Sequence, residues 1–249
     1  MQLSILTWNI HKGFSSGNRH FVLPTMREML RELDVDIVIL QEVQGEHQLH
    51  SRRIRNWPDT SQFEYLADSM WPHYAYGKNA IADGRHHGNA ILSRYPFSDW
   101  GNINLSPWRF ASRSLLHGSI TLPDTGFSLH LVCLHLGLFG FEQRKQLMLL
   151  NEHLNKQSDG HQALLVGGDF NDWSARQVNR VMDPLLQMQE AHYTLNKRFA
   201  ATFPAVHPLL CMDRLYYRGL VPLSCECLNT ADWKALSDHI PLLARFSIP

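Results

Sequence analysis

Apolar residues are concentrated in eight short segments of the chain. Each segment is rich in Ile, Leu and Val, and some are apolar at consecutive positions, as strands that are covered on both faces tend to be. We therefore predict strands over residues 3–10, 36–41, 89–94, 115–122, 127–136, 163–168, 212–217 and 242–248.

Helical periodicity appears between these segments. Pro24 suits the first position of a helix, and apolar residues then recur at helical spacing, at Met26, Met29, Leu30 and Leu33. Residues 141–156 predict a second helix, with Leu147, Leu150 and Leu154 on one stripe, and residues 183–188 a third. Turns between adjacent strands are predicted near Pro107 and at Asp124-Thr125-Gly126. Strands separated by both helices and turns favour a mixed, layered α/β fold.

Polar residues stand at the carboxyl ends of these apolar strands. Because residues two apart in a strand share a face, Asn9 and His135 each continue the apolar face of the strand that they end. Asp169 and Asn171 share a face directly after the segment 163–168. Strands that end at one edge of a sheet bring such side chains together.

Four more acidic or imidazole residues extend this pattern. By strict alternation, Glu42 continues the face of Val38 and Leu40. Asp213 stands at the start of a later predicted strand, and the pair Asp238-His239 precedes the last one. A buried charge costs free energy unless it is paired or ligated, so a convergent set at one rim of a sheet indicates a functional site.

Each of these residues also has an ordinary structural explanation. Asn9 could cap a turn, Glu42 could be a solvated strand end, and residues 167–173 could form an Asx-rich turn that opens a helix. A single His at a strand end is more often structural than catalytic. The hypothesis of a site rests on the occurrence of all these residues together and in order.

Composition and charge narrow the alternatives. The 249 residues are 44% hydrophobic and 18% charged, and no linker or low-complexity tract interrupts them, so we predict one domain over residues 1–249. The 23 Lys and Arg balance the 23 Asp and Glu, giving a formal net charge of zero. Phosphate neutralisation supplies most non-specific DNA affinity, so this balance weakens a general DNA-degrading role.

The cysteines and the first residues bear on the cellular compartment. The four cysteines, Cys133, Cys211, Cys225 and Cys227, include no CxxC pair, which argues against a structural zinc site and favours reduced thiols. The chain begins with a strand-like segment instead of a signal peptide, and no apolar run approaches the roughly 18 residues of a membrane span. We therefore expect a cytoplasmic protein without a transmembrane segment.

The ordered polar motifs resemble those of the endonuclease/exonuclease/phosphatase family over nearly the whole chain. That family includes pancreatic-type deoxyribonucleases, abasic-site endonucleases, neutral sphingomyelinases and inositol-phosphate phosphatases. The matching motifs are Thr7-Trp8-Asn9-Ile10, Gln41-Glu42-Val43, Gly88-Asn89-Ala90-Ile91-Leu92-Ser93-Arg94, His135-Leu136, Gly168-Asp169-Phe170-Asn171, Asp213-Arg214 and Ser237-Asp238-His239. The resemblance implies a deoxyribonuclease I-like four-layered α/β sandwich, in which two mixed β-sheets pack face to face and are flanked by helices.

The resemblance also implies a metal site. Glu42 would be the main ligand of a catalytic Mg²⁺ ion, with Asn9 and Asp238 in or near its coordination sphere. Few, hard oxygen ligands suit Mg²⁺, which keeps several waters and takes phosphate oxygens of the substrate. Mn²⁺ is expected to substitute for Mg²⁺.

The remaining implied roles concern water and the phosphate. His239, polarised by Asp213, would orient or deprotonate the attacking water, while Asp169 and Asn171 would position that water and hold the phosphoryl group. A mechanism in which Asp169 is the base stays open. His135 would bond a phosphate oxygen or help to protonate the leaving group. By the resemblance, His at this position distinguishes deoxyribonucleases and sphingomyelinases from abasic-site endonucleases, which carry Tyr.

Three further residues are candidate phosphate contacts. His11 follows Asn9 by two positions, Arg113 matches a strand-start Arg of the family, and Asn89 lies in a matching motif. Each has a structural alternative: exposure for His11, a salt bridge at the rim for Arg113 and, equally, a purely structural role for Asn89.

The sequence thus predicts a Mg²⁺-dependent phosphodiesterase or nuclease that acts on a phosphate ester, with nucleic acid among the candidate substrates and no obligate protein partner. Trp57, Trp71, His86, His87, Trp100 and Trp108 could stack bases or fill the core. A lipid-directed, sphingomyelinase-like phosphodiesterase is the alternative, although no basic amphipathic helix is evident. A non-catalytic binding module on the same fold would need a broken site, and every position above bears a chemically competent residue.

Overall fold

A computed structural model describes residues 1–47, 53–82, 85–106, 113–123, 125–156, 163–173 and 176–249. The twelve strands of the described residues lie in two mixed sheets of six strands each. In chain order the strands are β1 (Gln2–Asn9), β2 (Ile37–His47), β3 (His73–Ala82), β4 (Arg85–Ser93), β5 (Phe97–Asn104), β6 (Ser114–Thr121), β7 (Ser128–His135), β8 (Ala163–Asp169), β9 (Gln189–Glu190), β10 (Asp213–Arg218), β11 (Val221–Cys227) and β12 (Leu242–Ser247).

The strand order brings chain-distant segments side by side. The first sheet has the order β11-β12-β1-β2-β4-β3, and the second has the order β5-β6-β7-β8-β10-β9. Within each sheet one central pair is parallel: β1 with β2, and β7 with β8. The carboxyl ends of a parallel pair meet at one edge of the sheet. Antiparallel β12 and β10 begin at these same edges, next to the ends of β1 and β8.

The described helices are α1 (Leu23–Leu33), α2 (Gln62–Ala67), α3 (Gly140–Lys156), α4 (Arg176–Met182), α5 (Ala191–Asn196) and α6 (Ala231–Leu236). All but α5 cover the outer faces of the two sheets, while α5 packs against β9, β10 and β11 and contributes Ala191 to the apolar cluster between the sheets. One apolar cluster fills the space between the sheets, a second joins the first sheet to α1, α2 and α6, and a third joins the second sheet to α3 and α4. The predicted four-layered α/β sandwich is therefore confirmed. Within the described parts of the chain, no helix has the length and apolarity to cross a bilayer.

Alternation along the central strands decides which residues face the inter-sheet core. Leu3 and Ile5 of β1, Leu131 of β7, Leu165 of β8 and Leu215 of β10 all lie between the sheets and are 0% exposed. Residues two positions further along each strand keep this face. The inter-sheet layer thus continues, at one end of the sandwich, into polar side chains.

All eight predicted strands are confirmed. Their bounds agree to within one residue, except that β2 ends six residues later and β4 begins four residues earlier than predicted. The structure adds β3, β5, β9 and β11, which are the edge strands of the two sheets. Edge strands pack against fewer neighbours and carry fewer apolar residues. In β5, for example, the positions are mostly exposed, and in β11 exposed and half-buried positions alternate. This is why the apolar pattern missed them.

Two of the three predicted helices are confirmed and the third is wrong. Helix α4 spans Arg176–Met182, and the chain continues as a turn over residues 183–186 where a helix was predicted. A turn at Thr125 and Gly126 is confirmed, since the Gly126 N–H donates to the Leu122 carbonyl oxygen over 2.9 Å. Asp124 and the predicted turn at Pro107 lie outside the described residues.

Gly168, next to Asp169, generates a test of this architecture. Its φ is +147°, and a Cβ there would lie 2.0 Å from the Leu134 carbonyl oxygen of the paired strand. Gly168→Ala should lower the free energy of unfolding by about 3 kcal/mol, because backbone atoms of a central strand must shift.

Gly126→Ala is the matched control. Gly126 also has positive φ, at +64°, but a Cβ there meets no described atom within 4 Å. The Gly126→Ala variant should lower the free energy of unfolding by only about 1 kcal/mol, because alanine is strained in a left-handed backbone conformation. Urea unfolding measures the free energy of unfolding of both variants. Equal decreases in the two variants would contradict the close approach of the Leu134 carbonyl oxygen to Gly168.

Candidate active site

The polar ends of the two sheets meet across the sandwich. In the second sheet, His135 pairs in register with Asp169, and Asp169 pairs with Asp213. Asn9 ends β1 in the first sheet, and its Nδ2 donates to Asp169 Oδ2 over 3.1 Å. Each of these four side chains is buried. The expected convergence of Asn9, His135, Asp169 and Asp213 is therefore observed.

His239 lies between two buried carboxylates. Its Nδ1 is 2.8 Å from Asp213 Oδ2, and its Nε2 is 3.8 Å from Asp169 Oδ2. Burial disfavours the imidazolium, but the charges of Asp213 and Asp169 outweigh it and raise the pKa of His239 to about 10. Asp213 is fixed in turn by Thr202, whose hydroxyl donates to the same Oδ2 over 2.6 Å. The predicted pairing of His239 with Asp213 is observed.

Backbone contacts hold this pair next to the end of β1. The Ser237 hydroxyl donates to the Asn9 carbonyl oxygen over 2.7 Å and accepts from the His239 N–H over 3.3 Å. The Trp8 indole N–H donates to the His239 carbonyl oxygen over 3.0 Å. Ser237 and Trp8 lie in the motifs singled out from the sequence, and these contacts explain their presence there.

The loop after β8 is held by hydrogen bonds to the Asp169 carboxylate, to a backbone carbonyl and to a side chain of α3. The Asn171 N–H donates to Asp169 Oδ1 over 3.0 Å, and its side-chain Nδ2 donates to the Leu136 carbonyl oxygen over 2.9 Å. Gln143 of α3 donates to the Asn171 carbonyl oxygen over 2.9 Å. Asn171, which has φ of +50°, thus ties the loop to the residue after His135. Its role toward water or phosphate stays a prediction.

Arg214 supports the same loop from inside the protein. It is 0% exposed, its Nη1 lies 3.6 Å from Asp172 Oδ2, and its Nη2 donates to the Cys211 carbonyl oxygen over 2.7 Å. Nη2 also donates to the Asp172 carbonyl oxygen. Sequence reasoning placed Arg214 in a motif without a role, and the structure assigns it to positioning the loop.

Glu42 reaches the site through an irregularity in β2. The register of β2 against β4 shifts between Leu40 and Val43, and Glu42 has φ of +55°. Val38, Leu40 and Val43 all face the helices. The expectation that Glu42 continues the face of Val38 and Leu40 is therefore wrong. The bulge turns its carboxylate away from that face, as bulges commonly do at active sites.

Positive charge surrounds the Glu42 carboxylate. Lys12 Nζ lies 3.2 Å from Glu42 Oε2. Burial alone would raise the pKa of Glu42, but the charges of His135, Lys12 and His11 outweigh it and lower this pKa to about 2. Lys12 was not found from the sequence, because it lies in a short turn with positive φ that has no apolar periodicity.

Asp238 and His11 complete this side of the site. His11 Nδ1 is 3.6 Å from Asp238 Oδ1, and the side chains are 14% and 27% exposed. The His11 N–H donates to Asn9 Oδ1 over 3.0 Å. His11, a candidate phosphate contact, therefore lies between two of the candidate metal ligands, and Asp238 is accessible to solvent.

His135 and Arg113 lie near the acidic side chains of the site. His135 Nε2 is 3.6 Å from Asp169 Oδ2, and burial together with the charge of Arg113 lowers the pKa of His135 to about 3. Burial also lowers the pKa of the Arg113 guanidinium, while the charges of Asp169 and Glu42 act in the opposite direction. His135 is therefore neutral near pH 7, and Arg113 is a cation close enough to both carboxylates to interact with them electrostatically.

Asn89 has a structural contact. It is 0% exposed, and its Nδ2 donates to the Ser114 carbonyl oxygen over 3.1 Å, which links β4 to β6 across the sandwich. It lies on the strand opposite the bulge that contains Glu42. The phosphate contact expected for Asn89 stays a prediction.

Among the described residues, one tight group of potential metal ligands lies in this site. It comprises Asp169, Asp213 and His239, whose ligand atoms are within 4.8 Å of one another. The group expected to bind metal was Glu42, Asn9 and Asp238. We interpret the tight group as a proton-transfer set, since Asp213 Oδ2 already bonds Thr202 and His239.

The ion pair of His239 and Asp213 generates a direct test. In the metal-free protein, His239 should stay protonated at pH 8, and Asp213→Asn should shift its titration to lower pH. Because the folded-state pKa is raised above the ordinary value of 6.5, protonation of His239 stabilises the fold fully below pH 6.5 and progressively less up to about pH 10. NMR of the imidazole nitrogens measures the shift, and identical titrations in the two proteins would contradict the pairing.

Comparison with known proteins agrees with this fold. The chain is 42% identical over 244 residues to the uncharacterized protein YbhP of Escherichia coli K12, covering 98% of this chain and 96% of that one. It superposes with a TM-score of 0.77 on the human Nocturnin catalytic domain with bound sulfate (17% identity; 100% of this chain and 95% of that one). It superposes with a TM-score of 0.74 on a mannosyl-6-phosphatase of Bacteroides thetaiotaomicron (17% identity; 99% and 100%). The model of the Endonuclease/Exonuclease/phosphatase family matches residues 6–239, and the chain belongs to that family.

Proposed function

We propose that this chain is a Mg²⁺-dependent phosphodiesterase of the nuclease type. Members of its family are phosphoester hydrolases. The observation that carries the proposal is the convergence of Glu42, Asn9, Asp169, Asp213 and His239, from both sheets, at one end of the sandwich. A non-catalytic module would not need this set of buried, mutually compensating charges.

The donor atoms near Glu42 fit a magnesium ion. Glu42 and Asp238 supply carboxylate oxygens and Asn9 supplies an amide oxygen, which are the hard ligands that Mg²⁺ prefers. The low pKa of Glu42 keeps it ionised at neutral pH. When bound, the ion would act as a Lewis acid and template for the phosphate. Mn²⁺ offers the same coordination chemistry and should substitute.

The chain's own cations fit a bound phosphate. Arg113 lies near both Asp169 and Glu42, and His239 carries a positive charge between Asp169 and Asp213. Fixed donors of this kind stabilise the negative charge that develops during attack on phosphorus. His135, neutral and buried, offers a ring nitrogen to a phosphate oxygen or to the leaving group.

Asp169 and His239 are the two groups that can take part in removing the proton of the attacking water. Their nearest atoms are 3.8 Å apart; Asp169 can accept the proton while His239 is protonated, and His239 can accept it only after it has lost its own proton. Asn9 and the Asn171 N–H bond the two oxygens of Asp169 and hold the carboxylate in place. We assign proton acceptance to this pair jointly.

Exposed aromatic residues and the net charge of the chain affect which substrate class fits the site. Among the aromatic residues considered for base stacking, Trp71 is 0% exposed and its indole N–H donates to Val35, so it belongs to the core. Trp100 is exposed on β5, and Trp108 lies outside the described residues. The zero net charge suits a small phosphoester as well as a nucleic acid. The four free cysteines support a reducing, cytoplasmic location.

Removal of the Glu42 charge tests the proposal. Glu42→Gln should reduce Mg²⁺-stimulated hydrolysis of a bis-aryl phosphodiester by about a thousandfold, because the ion loses its main anionic ligand. Turnover is measured against Mg²⁺ concentration, and a panel of DNA, RNA, phospholipids and small phosphoesters then identifies the substrate class.

Glu226→Gln is the matched control, since Glu226 is an exposed carboxylate on β11. It should retain wild-type turnover. If the wild-type protein hydrolyses the diester equally well in excess EDTA, metal dependence is wrong. If no phosphoester of the panel is hydrolysed with Mg²⁺ or Mn²⁺, the enzymatic proposal itself is wrong.

A specific observation favours a lipid-directed enzyme as the second candidate. Leu138, Phe139 and Phe141, which follow His135 in the chain, are 60–63% exposed, and so is Trp173, two residues after Asn171. A groove of about 520 Å³ adjoins them between α3 and α4 and includes Arg144 and Arg180. Apolar side chains beside cationic ones are typical of surfaces that contact lipid.

Vesicle flotation tests this second candidate. Wild-type protein should float with phosphatidylserine-containing vesicles, and the double variant Phe139→Ser, Phe141→Ser should remain in the lower fractions. Trp100→Ser, which changes an exposed aromatic residue on the edge strand β5, should float like the wild type. Failure of the wild type to float would exclude this candidate and leave the phosphodiesterase proposal intact.

A further inference from the structure

Three histidines meet on the outer face of the second sheet. They are His117 of β6, His130 of β7 and His153 of α3. One ring nitrogen of each lies within 4.8 Å of one ring nitrogen of the other two. The centroid of the His117 ring is 4.4 Å from that of His153 and 5.4 Å from that of His130. The cluster therefore joins two strands to the helix that covers them.

This cluster is separate from the proposed active site. His130 neighbours Leu129 and Leu131, which face the inter-sheet core, so His130 faces α3 instead. His135, on the active-site side, lies five residues further along β7, which is roughly 17 Å of extended chain. The cluster and the active site are thus on opposite faces of the same sheet.

Neighbouring residues leave space for the His117 ring and orient the His130 ring. At Gly101 of β5, a Cβ would lie 2.7 Å from His117 Nε2, so the absence of a side chain there accommodates the ring. The Ser119 hydroxyl lies 2.9 Å from His130 Nδ1. A hydrogen bond to one ring nitrogen commonly fixes the orientation of a metal-binding histidine.

We propose that His117, His130 and His153 bind a divalent transition-metal ion, with zinc as the preferred ion. Imidazole nitrogen is a favoured zinc ligand, and three of them converge here in a buried setting, since His117 and His130 are 5% and 1% exposed. Zinc holds nitrogens at about 2 Å, so its ligands lie about 3.4 Å apart in a tetrahedral site. The side chains need to close by about 1.4 Å at most from the observed arrangement. Three imidazoles this close would repel one another if protonated, whereas ligation uses their neutral forms.

The metal ion would clamp α3 to the second sheet. The same helix carries Gln143, which bonds the Asn171 and Gly137 carbonyl oxygens, and Gln146, which accepts from the Gly137 N–H. A clamp at His153 fixes the other half of this helix. The site therefore acts as a structural support for the helix that holds the active-site loop, and it takes no part in the chemistry.

Zinc binding to the metal-free full-length protein tests the proposal. Zn²⁺ alone is titrated in competition with a chromophoric chelator, and Co²⁺ is titrated to look for the visible absorption of a tetrahedral nitrogen site. Wild type and Glu42→Gln should bind an equivalent of Zn²⁺ that His153→Gln lacks. Saturating Zn²⁺ should raise the melting temperature of the wild type by about 5 °C or more and leave that of His153→Gln unchanged.

His20→Gln is the matched control, because His20 is exposed and lies outside the cluster. It should bind Zn²⁺ like the wild type. Circular dichroism of metal-free His153→Gln verifies its fold, and His130→Asn replaces it if that variant does not fold. Zinc affinity and stoichiometry that are the same in His153→Gln as in His20→Gln would overturn the proposal. Loss of zinc only in Glu42→Gln would assign the metal to the active site and overturn it equally.

Discussion

The burial of several carboxylates at the end of an apolar sandwich is the constraint on which the candidate site depends. Asp213 and Asp169 are 0% and 2% exposed, and an uncompensated charge at that depth would cost several kcal/mol. His239 lies between these two carboxylates, and Arg113 lies near Asp169 and Glu42. The cations that make the buried acids tolerable are the same groups that suit an anionic substrate.

This compensation also explains why the site is built from both sheets. Asn9 and Glu42 belong to the first sheet, and His135, Asp169 and Asp213 belong to the second. The hydrogen bond from Asn9 to Asp169 spans the gap at the point where the apolar inter-sheet layer ends. Packing of the sheets and pairing of the charges therefore occur together, and neither sheet alone holds a complete site.

The sequence predicted most of this arrangement wherever regular alternation applies. Asn9 and His135 each continue an apolar face, Asp169 follows an apolar strand and Asp213 begins one, so reasoning from strand ends placed these residues together correctly. It failed at Glu42, because a bulge with positive φ reverses the face, and at Lys12, which lies in an irregular turn. The four edge strands were not predicted for a related reason. They are buried on few sides and therefore carry too few apolar residues to give a clear pattern. Local backbone irregularity and tertiary position, which composition does not record, account for these failures.

The two faces of the second sheet show how one scaffold can carry two kinds of chemistry. Toward the first sheet, β7 and β8 end in His135 and Asp169, where hard oxygen ligands and cations meet. Toward α3, the same β7 presents His130 to His117 and His153. The absence of a CxxC pair argued against structural zinc, but a site made from histidines on two strands and a helix has no short sequence spacing to reveal it. Only the fold brings residues 117, 130 and 153 together. Because α3 contacts both the histidine cluster and the loop after β8, its position couples the outer layer to the geometry around Asp169.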